Sequence, residues 1–222
     1  MTRMLLVRHG ATGLTAEDRF SGAEGVDLSD EGRSQARALA ERLTCEQLQA
    51  AYASPLSRTR ETAEIIARRH GLTINFRDGL REISHGHWEG LRRCDVETRF
   101  ADEYSNWEAD PFSFAPEGGE SGASVLARTL PVIREIVVAH PSGTVLVVSH
   151  KATIRLLLAS LLGFDARGYR DRLDQAPACL NVVEFKSPVH ARLMLFNDVS
   201  HYASAPRRPW SNLSSWWDPP VP

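Results

Sequence analysis

The chain has 222 residues, of which 42% are hydrophobic and 24% charged, and its formal net charge is -2. This composition excludes disordered and fibrous classes, and a chain of this length most often forms one domain. No lysine-rich run or basic stripe is present, so we expect no nucleic-acid partner. The longest apolar stretches, near residues 144–148 and 156–162, are far shorter than the roughly 20 residues of a membrane-spanning helix. We therefore expect no membrane partner.

The N-terminal segment and the cysteines both favour a cytoplasmic location. Met1 is followed by a short apolar run that leads into polar sequence without a small-residue cleavage site. Cys45, Cys94 and Cys179 are odd in number and widely spaced, which is typical of reduced thiols rather than of a disulfide framework or a zinc cluster. We expect the three thiols to have no role in the chemistry.

The first third of the chain alternates between strand and helix patterns. An apolar run at residues 4–7 predicts a strand that ends at Gly10, where the backbone can turn. Ser29 is the predicted N-cap of a helix, and apolar residues follow it at helical spacing. A second strand is predicted at residues 50–54, followed by a helix over residues 57–70. Gly71 is expected to end that helix.

The remaining elements are less regular in the middle and clearer towards the end. The predicted elements are a strand near residues 73–76, a loop-rich insertion with short helices at about 84–120, a helix around 125–137, a strand at 144–148, a helix at 151–162, and strands near 181–185 and 192–196. Pro131 lies inside one predicted helix and should cost a hydrogen bond or bend the axis. The run at 144–148 is continuously apolar and β-branched, as in central strands that are covered on both faces.

Strands that alternate with helices predict an α/β fold, a three-layer α/β/α sandwich with a mostly parallel sheet. In such folds the site lies at the carboxyl ends of the strands. We expect residues 1–202 to form a single domain. Residues 203–222 form a tail rich in proline and tryptophan. Our hypothesis is that this tail docks on its own domain or on a second subunit, so a homodimer is one possible assembly.

Two histidines mark the predicted carboxyl end of the sheet. His9 and His150 each follow an apolar strand run directly, which places both at the same rim. A strand-end histidine alone is more often a structural residue. However, Arg8 precedes His9, and Arg58 lies in the first turn of a predicted helix, so cationic groups accompany the imidazoles.

Several short motifs occur in a fixed order along residues 4–163. They are Arg8-His9-Gly10, the segment 27–36, Ser54-Pro55-Leu56-Ser57-Arg58, the segment 81–90, Gly118-Gly119-Glu120-Ser121 and Val148-Ser149-His150. In these motifs the chain resembles the histidine phosphatase superfamily, whose members have a phosphoglycerate mutase-like fold. The resemblance implies that His9 is the nucleophile and that Arg8, Arg58 and His150 form the phosphate pocket. Glu82 is then the proton donor to the leaving group.

Elementary chemistry favours the same roles. Phosphoryl transfer depends mainly on positioning and on fixed positive groups around the phosphate oxygens. Arginine suits this task because its planar fork donates two parallel hydrogen bonds and stays charged. The same arginines disfavour protonation of His9, so that its ring keeps a lone pair for attack. We therefore expect neither a metal nor another cofactor.

Each assignment has an alternative that ascribes no function to the residue. Arg8 and Arg58 are alternatively surface ion-pair partners. Glu82 is alternatively an exposed loop carboxylate, with nearby Glu89 as a competing proton donor. The histidines at positions 85 and 87 alternate like a metal-binding pair, but no third ligand stands at a suitable spacing, so we expect both to face solvent.

Further residues are expected to contact the substrate. These are Gly10, Thr15, Arg19, Ser21, Gly22 and Lys151. Two of them depart from the family pattern, because Lys151 replaces a glycine and Thr15 replaces a phosphate-binding asparagine. Our hypothesis is that Lys151 reaches towards the substrate and favours ligands with a second anionic group. Its alternative is a solvated lysine at a helix N-terminus.

The resemblance implies a metal-independent phosphomonoester hydrolase that acts on a small phosphorylated metabolite through a phosphohistidine intermediate. Phosphoglycerate mutase activity is the first alternative. It is less favoured because the segment around Glu82 has the short form found in the phosphatases of the family. A non-catalytic protein that binds a phosphorylated ligand is the second alternative. The identity of the substrate does not follow from any motif in the chain.

Overall fold

The computed structural model describes residues 1–13, 19–22 and 25–203. Thr15 and the predicted tail beyond residue 203 lie outside the described residues. No helix in the described part combines the length and the apolar character needed to cross a bilayer.

Six strands form one sheet within the described residues. They are β1 (Thr2–Arg8), β2 (Leu48–Ala53), β3 (Ile74–Phe76), β4 (Thr144–Ser149), β5 (Leu180–Ser187) and β6 (His190–Asp198). The order across the sheet is β3-β2-β4-β1-β5-β6. Strands β1 to β4 are mutually parallel, whereas β5 runs antiparallel to both β1 and β6. The predicted α/β fold with a mostly parallel sheet is therefore confirmed.

The helices lie between these strands in the chain. They are α1 (Asp30–Arg42), α2 (Ser57–Ala67), α3 (Arg93–Arg99), α4 (Ala101–Ala109), α5 (Gly122–Ala139), α6 (Lys151–Leu162) and α7 (Tyr169–Arg172). Ser29 caps α1 by accepting a hydrogen bond from the backbone N–H of Gly32, as predicted. Gly71, with φ of +64°, ends the turn that follows α2. Helix α5 continues through Pro131 without interruption.

The two faces of the sheet carry separate cores, which makes the fold three-layered. Alternate residues of β1 point to opposite faces, because successive side chains in a strand alternate. Met4 and Leu6 pack with residues of α5 and α6, whereas Leu5 and Val7 pack with residues of α1 and α2. Strand β1 is therefore covered on both sides, and its carboxyl end is the natural place for a buried site.

The insertion after β3 has a small aromatic core of its own. Its buried members are Trp88, Val96, Tyr104 and Trp107, and Phe20 from the segment before α1 packs with them. The expectation that both loop histidines face solvent is wrong for His85. Its ring is buried against Phe20, with ring centroids 5.0 Å apart. Three buried aromatic side chains of the insertion, together with Phe20 from the segment before α1, provide enough apolar surface to enclose a neighbouring imidazole.

Candidate active site

His9 and His150 meet at the carboxyl ends of the two central strands. The register of β1 and β4 pairs Arg8 with Ser149, so the next residue of each strand leaves the sheet at the same level. The His9 N–H donates to the carbonyl of Ser149 at 3.1 Å. The two imidazole centroids are 5.2 Å apart. The predicted convergence of the two rings is confirmed.

Hydrogen bonding fixes the tautomer of His9. Its Nδ1 lies 2.7 Å from the carbonyl oxygen of Gly10. Because a carbonyl only accepts, Nδ1 carries the proton and Nε2 keeps its lone pair. Gly10 is required here, because a Cβ at this position would overlap the backbone carbonyl of Gly32 on α1. The Gly10 N–H in turn donates to the Thr62 hydroxyl of α2 at 3.2 Å.

Both arginines are buried beside the imidazoles, so neither is a surface ion-pair residue. Arg8 donates from Nη1 to the carbonyl of Gln175 at 2.6 Å. Arg58 donates from Nη2 to the carbonyl of Gly22 at 2.8 Å. A carbonyl partner orients a guanidinium without cancelling its charge, and each of these groups has further N–H donors. Two positive charges therefore lie beside the imidazoles.

This environment keeps both imidazoles neutral. Burial lowers the pKa of His9 well below its usual range, and the charges of Arg58 and Arg8 lower it further. Burial lowers the pKa of His150 in the same way, with Arg58 again the largest charge effect. A neutral His9 whose Nδ1 is protonated is the nucleophilic form of the ring.

The side chain of His150 is oriented by Ser54, the residue that directly follows β2. The Nε2 atom of His150 lies 2.8 Å from the Ser54 hydroxyl. Within the described residues, no other acceptor is found for that hydroxyl. If it donates to Nε2, then Nδ1 carries the proton of the ring. Nδ1 is buried and has no hydrogen-bond partner among the described residues, so it can donate to a ligand oxygen.

Glu82 is buried and lies against the first turn of α6. Its Oε1 accepts from the backbone N–H of Thr153 at 3.1 Å and from the Thr153 hydroxyl at 3.1 Å. Its Oε2 accepts from the N–H of Ala152 at 3.2 Å. The competing carboxylate, Glu89, accepts at 3.0 Å from both the N–H of His85 and the Ser84 hydroxyl. Glu89 is therefore engaged in holding its own loop, whereas Glu82 is held at the first turn of α6, close to the N-cap His150.

The remaining expected contact residues differ in the contacts that they make. Gly22 supplies the carbonyl that orients Arg58, and a Cβ there would collide with the Glu89 carboxylate. Ser21 is half-buried next to it. Arg19 donates to the carbonyl of Gly90 at 2.8 Å, so one of its N–H groups is used to join two loops.

Lys151 is the remaining residue of this group, and its side chain is 31% exposed. Its Nζ is 3.7 Å from Asp174. Lys151 therefore lies at the N-terminus of α6 beside a carboxylate, and its expected contact with a substrate stays a prediction.

The comparison with known proteins agrees with this geometry. The sequence profile of the histidine phosphatase superfamily (branch 1) matches residues 4–199. The chain belongs to this superfamily. It is 36% identical over 165 residues to phosphoserine phosphatase 1 of Hydrogenobacter thermophilus, covering 74% of this chain and 78% of that protein. It is 35% identical over 168 residues to glucosyl-3-phosphoglycerate phosphatase of Mycolicibacterium vanbaalenii, covering 72% and 74%.

A solved structure extends the likeness to the fold. The structure of Bacillus stearothermophilus YhfR superposes with a TM-score of 0.85 at 29% identity, covering 90% of this chain and 99% of that one. Together these matches make the chain a phosphatase of the histidine phosphatase type. The predicted family and enzyme class are confirmed.

The histidine phosphatase site also depends on a clamp that no motif predicted. Arg128 of α5 donates to the backbone carbonyls of Gly79, Arg81 and Glu82 at 3.1, 2.9 and 3.0 Å. Its guanidinium also pairs with Glu120 through two bonds of 2.8 and 2.9 Å. Glu120 belongs to a predicted motif, but the sequence around Arg128 indicates only an ordinary residue on a helix surface. The clamp fixes the backbone that presents Glu82.

A second support lies behind Arg8. The Asn181 side chain bonds to the Gln175 amide at 2.8 Å and to the carbonyl of Leu6 at 3.0 Å. The Cys179 thiol donates to the same Gln175 amide at 3.0 Å, and burial raises the pKa of this thiol to about 12. Cys179 is thus a packing group and not a reactive thiol. Its network fixes the turn whose carbonyl orients Arg8.

Proposed function

We propose that the protein is a metal-independent phosphomonoester hydrolase that acts on a small phosphorylated metabolite through a phosphohistidine at His9. The observation that carries this proposal is the state of the His9 ring. Nδ1 is bound to the Gly10 carbonyl, while Nε2 keeps its lone pair beside the guanidinium groups of Arg8 and Arg58. An uncharged nitrogen nucleophile next to two fixed cations suits attack on a phosphate.

In the first step, His9 Nε2 attacks phosphorus and the bond from phosphorus to the leaving oxygen breaks. Arg8, Arg58 and the Nδ1–H of His150 bind the phosphate oxygens as charge develops. Glu82 gives its proton to the leaving oxygen, and its hydrogen bonds to the first turn of α6, whose N-cap is His150, support this role. The alcohol then departs and leaves the phosphoryl group on His9.

In the second step, the ionised Glu82 takes a proton from water. The water oxygen bonds to phosphorus, the P–N bond breaks, and Nε2 of His9 recovers its lone pair. Inorganic phosphate is released and Glu82 is protonated again. The positive charge that a metal would supply in other phosphatases comes here from Arg8 and Arg58 with the help of His150.

The substrate class rests on the relatives. Two of them are named for phosphoserine and for glucosyl-3-phosphoglycerate, and both names describe small phosphorylated compounds. We propose a substrate of comparable size. Residues 1–202 are proposed to act as one domain.

A phosphatase screen with His9→Ala as the blank tests the proposal. Release of phosphate from sugar phosphates, phosphoglycerates, nucleotides and phosphoamino acids is measured with and without a metal chelator. We expect turnover that the chelator leaves unchanged and that His9→Ala abolishes. Labelled enzyme quenched during turnover should carry a phosphoryl group that is stable in alkali and labile in acid. Formation of 2-phosphoglycerate from 3-phosphoglycerate in place of phosphate release would instead establish a mutase.

A further inference from the structure

The first turn of α6 carries cationic side chains that the proposed reaction does not use. Lys151 follows His150 directly, and Arg155 lies one helical turn further along the same face. Their Nζ and Nη2 atoms are 3.7 and 3.1 Å from the same carboxylate oxygen of Asp174. Within the described residues, Lys151 forms no hydrogen bond, because 3.7 Å exceeds the usual donor–acceptor distance. Its three donors are therefore available.

Under the proposed function, these cations lie near the proton donor of the leaving group. The proton donor Glu82 is held by the N–H groups of Ala152 and Thr153, which are the second and third residues of α6. Because the leaving oxygen must reach Glu82, the organic part of the substrate extends over this same turn. Lys151 is the first residue of that turn.

The charge balance favours a single negative charge on the ligand. When Lys151 is in its ammonium form, Lys151 and Arg155 carry two positive charges, and Asp174 cancels one of them. The helix dipole and Arg155 both oppose the charge of Lys151, so binding of a further anion beside Lys151 is favoured. One carboxylate on the substrate would neutralise the remaining charge, whereas a second phosphate would exceed it.

We propose that Lys151 and Arg155, balanced by Asp174, form a subsite for a carboxylate on the leaving group, so that the enzyme prefers phosphomonoesters of hydroxy acids. This inference rests on the proposed function, because it places the reacting phosphate at His9. The subsite selects the substrate and takes no part in bond breaking.

Titration of Lys151 gives the subsite a pH dependence. Burial, together with the charges of Arg155 and Arg8, lowers the pKa of Lys151 to about 7, against the opposing effect of Asp174 and Glu82. A bound carboxylate stabilises the ammonium form. The preference for a carboxylate should therefore decrease as the pH rises through the neutral range.

A matched pair of substrates tests the subsite. 3-Phosphoglycerate and glycerol 3-phosphate differ mainly in the carboxylate, so their ratio of kcat/KM isolates its contribution. We expect the wild-type enzyme to prefer 3-phosphoglycerate. Lys151→Met should reduce the ratio by about tenfold to a hundredfold, which is the effect of one charge-assisted hydrogen bond. Lys151→Arg should keep the ratio and remove its decrease between pH 6 and pH 8.5.

The chain supplies a matched control, because Lys186 is its only other lysine. It is exposed on β5, at the end of the sheet opposite the site, so Lys186→Met should leave the ratio unchanged. An unchanged ratio in folded Lys151→Met overturns the subsite. A higher kcat/KM for glycerol 1,3-bisphosphate than for 3-phosphoglycerate also overturns the subsite.

The inference can also be tested without turnover. Calorimetric Kd values for the two ligands are measured with His9→Ala and with His9→Ala/Lys151→Met. The subsite is supported if His9→Ala prefers 3-phosphoglycerate and the double variant does not. If the wild-type enzyme nevertheless releases no phosphate, only the proposed function fails. Equal Kd values for both ligands with His9→Ala overturn the subsite.

Discussion

Removing the Arg128 side chain should affect both stability and one particular step of the reaction. The guanidinium reaches the backbone carbonyls of three residues before and at Glu82, and it pairs with Glu120. The side chains of the pair are 23% and 28% exposed. In Arg128→Met, the Glu120 carboxylate loses its charged partner. It keeps the hydrogen bond that it accepts from the N–H of Ser84 at 3.1 Å.

The magnitude follows from the number and burial of these bonds. Loss of a partly buried charged pair with its carbonyl bonds should lower the free energy of unfolding by about 3 kcal/mol. For a chain of this size that corresponds to a decrease in Tm of roughly 6–12 °C. Arg69→Met is the matched control, because Arg69 pairs with Glu41 on an exposed surface and such pairs contribute little.

Activity distinguishes positioning of Glu82 from general damage. An alkoxide leaving group needs the proton of Glu82, whereas p-nitrophenolate departs without one. In Arg128→Met, kcat/KM for glycerol 3-phosphate should therefore fall at least about tenfold further than kcat/KM for p-nitrophenyl phosphate. An equal decrease for both substrates, measured below the Tm, would refute the positioning role. An unchanged Tm would refute the stability estimate.

Two further predictions concern the imidazoles. Ser54→Ala should lower kcat by about tenfold with little change in KM, because His150 loses the bond that sets its tautomer, and Ser54→Thr should restore most of the loss. The unfolded chain binds protons on His9 and His150 as the pH falls below 6.5, whereas the folded chain resists because burial lowers both pKa values. The free energy of unfolding should therefore be highest above pH 6.5 and should decrease as the pH falls towards the pKa values of the two histidines in the folded chain. Urea unfolding at pH 7.5 and 5.5 measures this loss, and His150→Gln should reduce it; an equal loss in His150→Gln would contradict the assignment.

The elements of the fold could be predicted because each has a local signal. Ser29 and Gly71 mark a helix start and a helix end through bonds and dihedral angles that depend only on near neighbours. The order of the strands has no such signal. Strands β1 and β4 are neighbours although more than 130 residues separate them, and the pairing depends on which apolar faces pack together.

The same distinction separates the parts of the site. His9 and His150 could be placed at one rim, because each directly follows a strand in the sequence. The clamp of Arg128 could not be predicted, because its partners are mostly backbone carbonyls, which every residue has. Asp174 could not be found either, since a lone aspartate before a strand looks like any turn residue. The burial of His85 depends on aromatic packing that the sequence indicates only as composition.

Helix α6 connects the chemistry with the choice of substrate. His150 is its N-cap, and the N–H groups of its first turn hold the proton donor Glu82. Because Lys151 begins the same turn, a substrate carboxylate bound there would place the leaving oxygen relative to Glu82. Binding energy from the non-reacting part of the substrate would then contribute to orientation at the reacting atoms, which is how a specificity subsite raises kcat as well as affinity.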